Sequence, residues 1–182
     1  MKKSIFVLSI LLFGLTNLHA QRCYLGAGVG INNSSGMLGV TFEAPINTHF
    51  SAKLGAGLGG WGSKISIAAK YYKEFPSSLS FGIGYSTASG SRNFEYKMEL
   101  EDGTMSKEKF NLYRAHMIDF TIGKSWGQKV RFNVECGYSL KIAGGDYKHL
   151  NATQDLSEDS KEVLDMVSPG GLIVGLGLSF GL

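Results

Sequence analysis

Apolar side chains recur at every second position over most of the chain, and the positions between them are small or polar. The pattern is cleanest at the end, where Leu172, Val174, Leu176, Leu178, Phe180 and Leu182 alternate with Ile173, Gly175, Gly177, Ser179 and Gly181. A period of two places the first set on one face of a strand and the second on the other. The second face is too small to fill a soluble core, so the simplest reading is a strand with its greasy face toward lipid. Seven more segments alternate in the same way: 24–31, 38–44, 50–59, 65–72, 79–87, 116–123 and 130–142. Eight strands bring both chain ends to one side of a barrel. The links after strands two, four and six are short, whereas those at 88–114 and 144–169 are long. Short turns on one side and long loops on the other is the asymmetry of a membrane barrel.

Composition sharpens this reading. The chain spends 25 Gly and only 3 Pro, and the Gly fall inside the alternating segments rather than in disordered stretches. Lys2 and Lys3, the apolar run 5–15 and the polar exit Asn17-Leu18-His19-Ala20 read as a secretory signal peptide cleaved after Ala20, too short in its apolar part for a membrane helix. The expected mature domain, 21–182, then loses two of the positive charges that make the formal net charge +3, leaving +1. That balance gives no electrostatic footprint for nucleic acid.

Signal peptide, alternation and strand count together resemble the eight-stranded OmpX/OmpA-like outer-membrane β-barrel family over the whole mature chain. The resemblance implies an all-β, antiparallel up-and-down transmembrane barrel in the bacterial outer membrane. It also implies export through the general secretory pathway, insertion by the barrel-assembly machinery, and contact with outer-membrane lipid and lipopolysaccharide. The chain departs from the family in ending on Leu182, with its terminal aromatic, Phe180, two positions earlier.

Inward parity collects Glu43, Lys53, Lys70, Asp119, Arg131, Glu135 and Lys141. An eight-stranded interior is just wide enough for side chains to fill, so these charges are expected to pair in a network, all but Lys141 at a similar height, with no open pore. Outward aromatics, namely Phe50, Tyr71, Phe75, Phe81, Trp126, Phe132 and Phe180 near the short turns and Tyr85 and Tyr138 higher, match interfacial girdles. Cys23 and Cys136 fall too far apart on this topology to bond and are expected as free thiols.

Phe94, Tyr96, Met98 and Leu100 alternate up to Asp102-Gly103, a hairpin signal. A two-residue turn there would set Tyr85 opposite Phe120 and carry the flanking strands outward as one projecting hairpin, with edges suited to a surface protein partner by strand addition. Loop 144–169 is acidic, with Asp155, Glu158, Asp159, Glu162 and Asp165, and 157–167 reads as a short helix with Val163, Leu164 and Val167 on one side. No spacing matches a calcium loop, a metal cluster or a phosphate loop, and no cofactor is implied. Three alternatives to a structural or surface-interaction role stay open. The first is a lipid A acyltransferase- or deacylase-like enzyme, for which His116 is the weak catalytic candidate; the others are a small pore and a soluble lipocalin-like carrier.

Overall fold

The computed structural model of the protein describes residues 22–100, 102–150 and 156–182, and for 165–167 the backbone alone. The expected signal peptide, 1–20, and Asp155 lie outside the described residues. Eight strands close into an antiparallel barrel: β1 (Tyr24–Asn33), β2 (Gly36–Pro45), β3 (Phe50–Gly59), β4 (Gly62–Tyr72), β5 (Leu79–Ala88), β8 (Ala115–Trp126), β9 (Val130–Gly144) and β11 (Gly171–Gly181). Each pairs with its neighbour along the chain, and β1 pairs with β11 to seal the wall. Closure leaves the barrel wall no free edge.

The period-two pattern turns the barrel inside out relative to a soluble protein. Leu25, Leu38, Leu54, Ile67, Ile83, Phe120, Leu140 and Leu176 are all exposed, so every barrel strand shows apolar side chains to the outside. Glu43, Lys64, Lys70, Asp119, Arg131 and Glu135 are buried within. Phe50, Tyr71, Phe81, Trp126, Phe132 and Phe180 face outward near the short turns, as the girdle reading expects. Phe75 does not. It turns under the barrel and packs edge-on against Tyr24 and Tyr72, 5.7 and 5.1 Å between ring centroids.

The long loops form a second unit. Strands β6 (Ser91–Glu99), β7 (Met105–Leu112) and β10 (Tyr147–His149) make a three-stranded sheet in the order β10, β7, β6, followed by helix α1 (Glu158–Val167). The hairpin is therefore not a continuation of β5 and β8, since the pairing breaks at residues 89–90 and 113–114. Glu99 faces Met105, and Leu100 N–H donates to Thr104. The loop thus holds three residues, closed by Gly103 in the left-handed region, and not two. A register irregularity between Ser91 and Phe94 follows, so Tyr85 lies opposite Ile118, and Phe120 opposite Ile83.

Met98, Leu100, Phe110, Leu112, Leu156 and Leu164 pack with Trp61, Ala88, Ala115 and Met117 of the barrel rim into one apolar cluster. Trp61 is anchored there by its indole N–H, which donates to the Tyr113 carbonyl at 2.8 Å. Leu156 and Leu164 thus pack this stretch of the acidic loop into a cap, with Glu158, Asp159 and Glu162 exposed. Its helix buries Ser160 and Leu164, four residues apart, and turns Val163 to solvent at 43% exposure.

Candidate functional site: a filled polar lumen

Inside the barrel the charges sort into three tiers rather than one level. At the turn end, Arg131 pairs with Glu43 through a close contact between Nη2 and Oε2. Ser51 and Tyr72 hydroxyls each donate to the other carboxylate oxygen at 2.6 Å. The Arg131 guanidinium lies 4.2 Å from the Tyr24 ring centroid and 5.6 Å from that of Phe75. Tyr24 in turn donates its hydroxyl to the Gln128 carbonyl at 2.6 Å. Aromatic faces and a carboxylate both attract the guanidinium, so this end is closed by a charged plug whose polar atoms are paired.

In the middle tier, Glu135 Oε2 accepts from both Lys53 Nζ at 3.0 Å and Lys70 Nζ at 2.6 Å. Toward the loops, Lys64 lies 3.8 Å from Asp119, which also accepts from the Ser139 hydroxyl. Lys64 was missed in the sequence because it stands at a loop boundary, yet its parity matches that of Ser66 and Lys70. Lys141 takes no part in any tier: it is exposed at the barrel mouth. It still pairs with Met117 in the regular register of β8 and β9, which slips only beyond it, between His116 and Met117, so its parity stays inward and its place at the open end of the barrel leaves it exposed.

The bare glycine face has a purpose that alternation alone did not reveal. The tip of the β1–β2 hairpin folds into the lumen, with Asn33 and Ser35 buried. Ser66 donates to the Ser34 carbonyl at 2.6 Å, Lys64 donates to the Asn32 carbonyl at 2.7 Å, and Asn33 Oδ1 accepts from the Ser35 N–H and hydroxyl. A β-carbon at Gly55 would collide with the Ser34 carbonyl, and one at Gly57 with that of Ser35. The small residues on the inner wall are what allows the chain's own turn to occupy the barrel.

What remains of the lumen is small. A cavity lined by Asn33, Thr41, Lys53, Lys70, Glu135 and neighbouring wall residues leaves about 40 Å³ for the centres of water molecules. A smaller one beside Ser66, Asp119 and Glu135 leaves about 10 Å³. These are volumes for one or a few waters and not for a lipocalin-type ligand.

The other candidates are placed as follows. His116 is on the outer wall, its Nδ1 2.5 Å from the Tyr85 hydroxyl and its ring stacked on Tyr85. Among the described residues, no hydrogen bond or ion pair joins it to a serine or a carboxylate, so a nucleophile–base–acid arrangement is not assembled there. Of the interaction hairpin, Met98 and Leu100 are buried in the cap and Phe94 packs against it. Tyr96 is exposed, and Asp102 and Gly103 stand at the tip. The outer edge of β7 is covered at residues 110–112 by the short β10, and β6 forms the long open edge of the sheet, its last residue tied by Ser160 and Ser157 to the helix region. Cys23 and Cys136 are free thiols, and Cys136 is exposed opposite Val174 of β11. Among the described residues no group of histidine, cysteine and acidic side chains could hold a metal.

Comparison of the chain with protein-family models, with curated proteins and with solved structures returned no match.

Proposed function

We propose that the protein is a bacterial outer-membrane β-barrel that does not conduct, and that it serves as a structural and surface-interaction element. One observation carries the reading: apolar side chains face outward on all eight strands while the buried interior is charged. That distribution is stable in a bilayer and would expose a continuous apolar belt in water. From Leu172 to Phe180 the belt spans roughly 27 Å along the strand, about 20 Å along the axis at a usual tilt, close to the roughly 25 Å apolar band of such barrels. Plug, inward hairpin and cap lie in series along the lumen and favour a closed barrel over a pore. The surface role falls to the cap, whose open β6 edge and exposed Tyr96 suit a protein partner adding a strand.

The test is migration of the membrane-extracted protein on a detergent gel with and without boiling. A compact unboiled band from the outer-membrane fraction supports the proposal. A soluble periplasmic protein with no heat-dependent shift would overturn it.

A further inference from the structure

The charges lining the lumen do not balance. Buried Lys64, Lys70 and Arg131 with the part-buried Lys53 supply four cations, and buried Glu43, Asp119 and Glu135 supply three anions. Arg131 has Glu43 and Lys64 has Asp119, so the surplus falls on the middle tier, where one carboxylate serves two ammonium groups. An uncompensated charge inside a closed barrel is costly, and proteins relieve it by deprotonation or by a counterion.

The cavity of about 40 Å³ lies where the surplus is, lined by both lysines. Its acidic members are already committed. Glu43 accepts from Arg131, Ser51 and Tyr72, and Glu135 accepts from Lys53 and Lys70. Each ammonium has three N–H groups and uses one on Glu135, so both keep donors to spare. Asn33 and Thr41 also line the space, and among the described residues neither the Asn33 side-chain amide nitrogen nor the Thr41 hydroxyl donates to a protein acceptor, Asn33 using only its Oδ1 on Ser35. The cavity is thus small, positive in balance and rich in unused donors.

We infer that this cavity is a binding site for one halide-sized monovalent anion, chloride in a natural setting, held by Lys53 and Lys70 with Asn33 and Thr41 completing its shell. A divalent anion such as sulfate would carry more charge than the surplus it offsets. Because Asn33 belongs to the inward hairpin tip, the anion also ties that tip to the lysines of β3 and β4.

The experiment is unfolding of the detergent-solubilised full chain at matched ionic strength in sodium chloride, sodium bromide and sodium gluconate, with bromide located by anomalous scattering in crystals. The expected result is a bromide peak against Lys53 Nζ, together with a folded state favoured about tenfold over gluconate when the halide is at ten times its dissociation constant. In Lys53→Met, which removes the surplus charge, the halide preference and the peak should both vanish while the heat-modifiable barrel persists. Equal stability in all three salts with no bromide in the cavity would overturn the proposal. So would a Lys53→Met variant that keeps the wild-type halide preference. Neither outcome bears on whether the barrel resides in a membrane, which the gel shift decides separately.

Discussion

At the turn end of the barrel Arg131 sits between Tyr24, Phe75 and Glu43, and nearly every contact is polar or ionic. At the loop end Trp61, Met98, Phe110, Leu112 and Leu164 meet in an apolar cluster with few internal polar groups. The two closures differ because their surroundings differ. The lower one lies within the ring of strands whose outward face is apolar, so the interior is the only place for polar side chains and these must satisfy one another. The upper one stands clear of that belt, on a sheet with an exposed polar face, and folds as a small soluble domain does, by hiding apolar area. A single chain therefore uses two packing rules, exchanged near the level of Ala88 and Ala115.

The contrast is broken most severely at the charged end. Glu43→Ala leaves Arg131 buried without its counterion and should destabilise the barrel by about 3–5 kcal/mol. The effect should appear as a much lower temperature for loss of the compact gel band. Glu43→Gln with Arg131→Met removes both charges and should recover most of that loss; failure to recover would mean that the pair serves something other than mutual compensation.

At the apolar end Phe110→Ala removes the central ring of the cap and should cost the cap about 3–5 kcal/mol. Limited proteolysis should then cut within 91–112 and 145–168, while the barrel keeps its heat-modifiable band close to the wild-type temperature. Simultaneous loss of band and cap would show the two regions to be one cooperative unit.

Between them lies the inward hairpin tip. Gly57→Val sets a side chain against the Ser35 carbonyl and should destabilise by about 1–3 kcal/mol as the tip is forced from the lumen. A cysteine placed at Ser34 should then become accessible to water-soluble maleimides, having been protected in the parent.

The smallest expected effect concerns pH. In the cap, the His149 Nε2 lies 2.6 Å from Glu108, and its ring stacks on Phe110, pinning β10 to β7. The hydrogen bond from His149, helped by the Ser106 hydroxyl, holds the Glu108 carboxyl below the ordinary carboxylate range. A depressed carboxyl contributes stability that is fully present above its unfolded value, about 4.3, and is lost as the pH falls through the lower folded value. Amide protection at 147–149, corrected for the intrinsic exchange rate at each pH, should therefore hold from neutrality to about pH 5, judged against that unfolded value, and weaken below it. Glu108→Gln should remove the pH dependence.

How much of this was legible in the sequence follows the same division. Strand faces in the barrel repeat every two residues, so Leu172 to Leu182 announced which of their side chains face outward, and parity alone placed Glu43, Arg131 and Glu135 inside. The tiers were harder to see, because height in a barrel depends on strand tilt and stagger as well as on distance from a turn. Phe75 and Trp61 lie in turns, where parity says nothing, and both became closures. Asn33 to Ser35 looked like an ordinary outward turn, since its inward fold depends on glycines from several strands that meet only after closure. The cap was least legible, because Leu156 and Leu164 acquire their partners from a hairpin far earlier in the chain, at Met98, Leu100, Phe110 and Leu112. Lys141 keeps its inward parity but stands at the barrel mouth, and parity says nothing about height.

The most direct test of the inside-out arrangement uses the native thiol of Cys136, which stands on the outer wall of β9 between Ile122 and Val174. The folded protein is placed in lipid vesicles and treated with a membrane-impermeant maleimide and with a lipid-soluble one. The account predicts that Cys136 reacts with the lipid-soluble reagent alone, and with both once the protein is unfolded. Rapid labelling of folded Cys136 by the impermeant reagent would put that wall in water and contradict the arrangement at its centre.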